Sequence, residues 1–146
     1  MEERTEGQKT ILFVDDEKSI LSSLRRVFHD DPGLRVLTAE NGEEALALFG
    51  NNRIDLTVAD FRMPRMDGSQ LLAEVKQRSP KTIRIILTGY ADTDSIIASV
   101  NTGEVYRFLT KPWNDDDLRN TVSKALEYAD LLQKNEEMAA QIRSQN

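Results

Sequence analysis

The chain reads as an α/β domain: a doubly wound, five-stranded parallel sheet with helices on both faces and an extended C-terminal helix. Three observations lead there. Short apolar runs alternate five times with apolar residues at helical spacing, the order of successive β-α units. The runs are nearly continuous rather than alternating, as in strands covered on both sides. Polar residues stand where several of the runs stop, and in an open parallel sheet those carboxyl ends border the ligand crevice.

Residues 1–9 are polar and are expected to form a disordered tail. Ile11 to Val14 is the first buried-strand run, ending abruptly at Asp15-Asp16. Ile20, Leu21, Leu24, Val27 and Phe28 give a first helix, closed near Asp31-Pro32-Gly33. Leu34 to Thr38 is a short second strand, and Asn41-Gly42 turns into a helix carrying Ala45, Leu46, Leu48 and Phe49. Ile54 to Ala59 is the third strand, closed by Asp60. A third helix is expected from Ser69 to Arg78, stopped by Ser79-Pro80. Ile83 to Leu87 is the fourth strand, with Thr88-Gly89 at its end. Ile96, Ile97 and Val100 mark the fourth helix, and Val105 to Leu109 the fifth strand. The fifth helix opens after Lys111-Pro112-Trp113-Asn114.

Composition narrows the function classes. Nineteen basic against 25 acidic residues leave a net charge of −6, which argues against direct nucleic-acid binding by this chain. The absence of cysteine excludes disulfides, thiolate metal sites and cysteine catalysis. No apolar run approaches the roughly 18–20 residues of a membrane span, and no signal-peptide core precedes Lys9. A cytoplasmic domain with no membrane partner is expected.

Asp15, Asp16, Asp60, Thr88 and Lys111 fall at or just beyond the ends of four different strands. Three carboxylates gathered at one edge repel each other and need a counter-charge to stay ionised. A hard divalent cation with oxygen ligands answers that need, and Mg²⁺ suits one or two carboxylates with waters and phosphate oxygens. An aspartate beside such an ion is a nucleophile for a phosphoryl donor. The charge on the transferring oxygens then calls for placed donors, which the Lys111 ammonium and the Thr88 hydroxyl supply. Singly, each residue has a plainer reading as a turn, cap or surface group. Asp67-Gly68 reads as a turn without chemistry, and the lone His29 as incidental.

These segments resemble the receiver domain of two-component response regulators. The resemblance rests on Ile-Leu-Phe-Val-Asp-Asp-Glu at 11–17, Asp-Phe-Arg-Met-Pro-Arg-Met-Asp-Gly at 60–68, Thr-Gly-Tyr-Ala-Asp at 88–92 and Phe-Leu-Thr-Lys-Pro-Trp at 108–113. It implies a flavodoxin-like receiver over residues 10–128, followed by a helical extension or linker over 129–146 towards an output domain. It implies that Asp60 accepts phosphate from a histidine kinase or phosphotransfer protein. Asp16, Asp60 and the backbone carbonyl of Arg62 would ligate Mg²⁺, with Asp15 acting mainly through water. Thr88 and Lys111 would contact the phosphoryl group, and the Lys111-Pro112 bond would be cis. Thr88 and Phe108 would move together as the switch, Phe108 by repacking alone because it has no hydroxyl. Arg62 and Tyr90 would flank the phosphate, and neither is a water-orienting carboxylate or amide, so slow self-dephosphorylation is expected. The stretch from Tyr106 to Trp113 also resembles receivers joined to HD-type cyclic-di-GMP phosphodiesterase domains.

Such a domain catalyses only its own phosphorylation and dephosphorylation. The rival is a Mg²⁺-dependent phosphatase or phosphotransferase with an aspartate nucleophile. That chemistry wants a second carboxylate two residues after the nucleophile, where this chain has Arg62. The C-terminal region leaves two readings open. Leu118, Val122, Ala125, Ala129, Leu132, Glu136, Ala139 and Ile142 follow steps of four and three, a heptad seam interrupted by Glu136. Either this stripe packs on the domain's own sheet ahead of a solvated linker, or it pairs two copies as a coiled coil. A homodimer would form through that helix or through the helix-four/strand-five/helix-five face.

Overall fold

The structure is a computed structural model describing residues 7–89, 93–101 and 105–145. Residues 1–6 of the expected tail, and Tyr90 to Asp92 of the fourth-strand motif, lie outside the described residues. Five β-α units follow in order: β1 (Lys9–Val14), α1 (Lys18–Phe28), β2 (Leu34–Ala39), α2 (Gly42–Phe49), β3 (Leu56–Asp60), α3 (Gly68–Arg78), β4 (Ile83–Thr88), α4 (Thr93–Asn101), β5 (Arg107–Thr110) and α5 (Asp115–Gln145). All strands are parallel, in the order β2-β1-β3-β4-β5. The order reverses between β1 and β3, which puts the crevice at their carboxyl ends.

The sheet separates two apolar layers. Leu12, Val14, Ala59 and Ile86 face Leu71, Leu72 and Val75 of α3 and the α2 and α4 side. Ile11, Phe13, Val58 and Ile85 face Leu21, Leu24 and Phe28 of α1 and Leu118, Val122 and Ala125 of α5. Phe13 stacks on Phe28 with ring centroids 5.7 Å apart. Successive strand residues alternate between the layers, which explains why the central runs carry few polar interruptions. Edge strand β2 is only half-buried along most of its length.

Several boundaries differ from the sequence expectation, each for a hydrogen-bonding reason. Lys9, expected in the polar tail, opens β1: it pairs with Leu34, and its amide donates to the Gly33 carbonyl at 2.8 Å. Ile54 and Val105 are buried yet precede their strands, whose ladders begin at Leu56 and Arg107. α3 begins at Gly68 rather than Ser69, because Asp67 caps it in a reciprocal box with Gln70. His29 is exposed at the end of α1 and pairs with Asp30 at 2.8 Å.

α5 runs unbroken for 31 residues. Asn114 caps it, its side-chain oxygen accepting from the Asp116 and Asp117 amides at 2.9 and 3.1 Å. Of the heptad stripe seen in the sequence, Leu118, Val122, Ala125, Ala129 and Leu132 lie against the domain's own core. Glu136, its interruption, pairs with Lys81 at 2.6 Å, while Lys9 pairs with Asp130. That stripe therefore belongs to the domain itself as far as Glu136, and the helix continues past it. Among the described residues no helix is long and apolar enough to cross a membrane.

Candidate functional site

Asp60 is the last residue of β3 and is buried to 8 % exposure. The backbone of the next residue, Phe61, is fixed on two sides. The Phe61 amide donates to the Leu87 carbonyl at 3.2 Å, and the Gly68 amide to the Phe61 carbonyl at 2.8 Å. Gly68 is tightly placed: a Cβ there would come 2.5 Å from the Asp60 carbonyl oxygen and 3.0 Å from Phe61 Cα. The sequence reading of Asp67-Gly68 as a mere turn missed this positioning role. The closeness to Asp60 is tertiary, and the only local hint was an Asp-Gly pair so soon after a strand-end acid.

Asp15 follows β1, where its amide still donates to the Ala39 carbonyl of β2 at 3.1 Å. Its carboxylate is buried, Oδ1 accepting from the Glu17 amide at 2.9 Å and Oδ2 from Lys111 Nζ at 2.8 Å. Asp16 is exposed at the mouth. Lys111 follows β5, its amide donating to the Thr88 carbonyl at 2.7 Å, and the Lys111-Pro112 bond is cis. Lys111 Nζ lies 3.0 Å from Asp60 Oδ1, so one ammonium bridges two carboxylates from two strands.

Carboxylate oxygens of Asp15, Asp16 and Asp60 all come within 4.8 Å of one another. Burial, with the neighbouring Asp15 and Asp16 charges, pushes the Asp60 carboxyl up to about 6 against the pull of Lys111. Burial alone would lower the Lys111 ammonium, but its bonds to Asp15 and Asp60 raise it above the ordinary lysine range. Among the described residues Lys111 is bonded to two of these three acids, and a single ammonium leaves the cluster short of positive charge. A hard divalent ion with oxygen ligands fits that deficit.

Thr88 ends β4, is buried, and donates its hydroxyl to the Gly89 carbonyl at 3.0 Å. Phe108 pairs with Ile86 across β4 and β5, half-buried against the core layer that holds Ile86. By alternation, Thr88 and Phe108 share one sheet face. Arg62 is exposed just beyond Asp60. Tyr90, expected beside Arg62, is outside the described residues.

Comparison with known proteins agrees with this geometry. Residues 11–123 match the family model described as the response regulator receiver domain. The hydrogenase transcriptional regulatory protein HoxA of Cupriavidus necator is 39% identical over 123 residues, 84% of this chain and 25% of that protein. The chain thus spans about a quarter of the length of the curated relatives it matches. Among solved structures, the signal receiver domain of an HD domain-containing protein from Pseudomonas fluorescens Pf-5 is 34% identical, with TM-score 0.83, covering 90% of this chain and 96% of that one. The response regulator TrrA of Thermotoga maritima, solved in complex with Mg(2+)-BeF, is 32% identical, with TM-score 0.71, covering 81% and 99%. On its sequence match, its strand order and its converging strand-end acids, the chain belongs to the response regulator receiver domain family.

Proposed function

We propose that Asp60 is the phosphoryl acceptor of this receiver, taking its group from a histidine kinase or phosphotransfer protein of a two-component pathway in the cytoplasm. The observation that carries the reading is the convergence at β3: a buried Asp60 touching Lys111, with Asp15 and Asp16 within reach of a shared ion. Asp16, Asp60 and the Arg62 backbone carbonyl would hold Mg²⁺, with Asp15 acting mainly through water. When bound, the ion neutralises charge on the carboxylates and on the phosphoryl oxygens.

Asp60 then uses one carboxylate oxygen to attack phosphorus in line with the donor nitrogen. The P–N bond breaks as the P–O bond forms, and the acyl phosphate remains on Asp60. Lys111 already stands at hydrogen-bond distance from Asp60 and moves its donor onto a phosphoryl oxygen. Thr88 rotates its hydroxyl from the Gly89 carbonyl towards another. The space vacated on that sheet face lets Phe108 repack inward, which alters the α4–β5–α5 surface. Identical Phe108 rotamers in metal-only and beryllofluoride-bound crystals would contradict this coupling.

That surface or the C-terminal helix then meets a second copy of the chain. The output is a transcriptional regulator in the curated relatives and an HD-domain protein in the Pseudomonas neighbour, and either would follow α5. An aspartate-nucleophile phosphatase is disfavoured by Arg62 at the acid-base position. Incubation with acetyl phosphate and Mg²⁺, read by intact mass, tests the assignment. One phosphoryl adduct, lost in Asp60→Asn, supports it; repeated turnover of small phosphoesters supports the enzyme.

A further inference from the structure

The loop from Phe61 to Asp67 carries the Arg62 carbonyl and is held at both of its ends. The Phe61 amide donates to the Leu87 carbonyl of β4, and the Asp67 side chain caps α3. Between those ends the chain turns on a single residue. The Met66 amide donates to the Pro64 carbonyl at 2.8 Å, and Arg65 between them has a φ of 69°. That pattern is the γ-turn of the rare, strained hand. Among the described residues Arg65 is the one non-glycine residue in left-handed backbone. Its side chain is exposed, so no burial of the arginine compensates for the conformation. Something outside the turn holds it there.

Two methionines flank the turn. Met63 is buried in the apolar layer under α3, and half-buried Met66 packs against the same layer. With both seated, Pro64 and Arg65 alone span the gap, and the tight turn at Arg65 closes it. Met66 also rests on Gly42, the first residue of α2. A Cβ at Gly42 would come 2.5 Å from Met66 Sδ, and 3.1 and 3.2 Å from its Cγ and Cβ. Gly42 lies in a helix and needs no glycine for its own backbone. What its missing Cβ supplies is the seat for Met66.

We propose that Gly42, Met66 and the Arg65 turn form a latch that sets the β3–α3 loop before any ion arrives, and so positions the Arg62 carbonyl for the cation. The latch rests on the reading of that carbonyl as a Mg²⁺ ligand given above. A carbonyl on a free loop loses conformational freedom when it takes an ion, and one held in advance does not. Outer contacts that orient a ligand group raise metal affinity for the same reason. Met66 and Arg65 are thus positioning residues, acting through the backbone that joins them to Arg62.

The test follows the unfolding temperature of the whole unphosphorylated chain over a Mg²⁺ series. The value in chelator reads the fold alone, and its rise with Mg²⁺ gives the affinity. Gly42→Ala is expected to weaken Mg²⁺ binding on the order of tenfold. Met66→Ala should do the same. In the Met66→Ala background Gly42→Ala should add nothing, because the collision is gone. Arg65 separates backbone from charge. Arg65→Gly and Arg65→Val lose the same guanidinium, but glycine enters left-handed backbone freely and a β-branched residue does so worst. Arg65→Gly should therefore keep the parent affinity, while Arg65→Val weakens it on the order of tenfold. Variants that unfold earlier in chelator yet bind Mg²⁺ like the parent overturn the latch and leave a merely structural contact. Equal weakening by Arg65→Gly and Arg65→Val overturns it as well. A parent chain that binds no Mg²⁺ overturns the latch together with the metal assignment beneath it, a result distinct from parent-like variants.

Discussion

Replacing Asp60 with asparagine is expected to stabilise the metal-free domain at neutral pH and to do nothing at acid pH. The carboxyl is displaced from its ordinary 3.8 to about 6. A folded-state value above the unfolded one means that folding favours the protonated form. The stability tied to that proton is fully present below about pH 4 and is lost as pH rises through about 6. Roughly two units of displacement correspond to about 3 kcal/mol at most. Residual water contact and relaxation at the mouth reduce the realised gain to about 1–2 kcal/mol, or about 3–6 °C in Tm for a domain of this size. The amide is isosteric, and Lys111 keeps Asp15 at 2.8 Å, so packing and the second ion pair survive. Thermal unfolding in chelator at pH 7.5 and pH 4 measures the difference. Mg²⁺ at pH 7.5 should then raise the parent's Tm and leave the variant's nearly unchanged. A variant no more stable than the parent at pH 7.5, or one equally favoured at pH 4, refutes the reading of Asp60 as a carboxylate charged at a cost by burial and by its acidic neighbours.

Gly68→Ala should cost about 1–3 kcal/mol in urea unfolding, since its Cβ meets Asp60 and Phe61 backbone that cannot turn aside; a neutral result would mean the α3 start yields freely. The same variant should acquire the phosphoryl adduct more slowly than the parent. Lys111→Ala should slow adduct formation by acetyl phosphate on the order of a hundredfold, and a parent-like rate would remove Lys111 from the reaction. The adduct on the parent chain should persist well beyond seconds, because neither Arg62 nor Tyr90 offers a carboxylate or amide to orient water; decay within seconds by intact mass would contradict that.

Much of the architecture was legible because burial writes itself into composition. A parallel strand covered on both faces must be apolar along its length, so Asp15 and Asp60 stood out as the points where cover ends. Strand limits were less legible. Ile54 and Val105 are as buried as strand residues, but ladder membership depends on partners in other segments, and hydrophobicity does not report it. The role of Gly68 was hidden for the same reason: the backbone it accommodates belongs to β3. α5 shows the limit of periodicity. The steps of three and four at Leu118 to Leu132 were read correctly as a stripe, yet spacing does not say whether the cover is the chain's own sheet or another molecule. The raised Asp60 carboxyl comes first from burial, with Asp15 and Asp16 adding to it and Lys111 opposing it, a tertiary arrangement that no local pattern encodes.

The pairs that tie α5 to the base of the sheet, Lys9–Asp130 and Lys81–Glu136, set the mechanics of any outgoing signal. From Asp115 to Glu136 the helix runs about 32 Å, and from Glu136 to Gln145 about 14 Å, at 1.5 Å per residue. With the lysine contacts as fulcrum, a sideways displacement near the phosphorylation site reaches the far end at less than half its amplitude. Rotation about the helix axis suffers no such reduction. A helix held in this way would pass on a twist more fully than a swing.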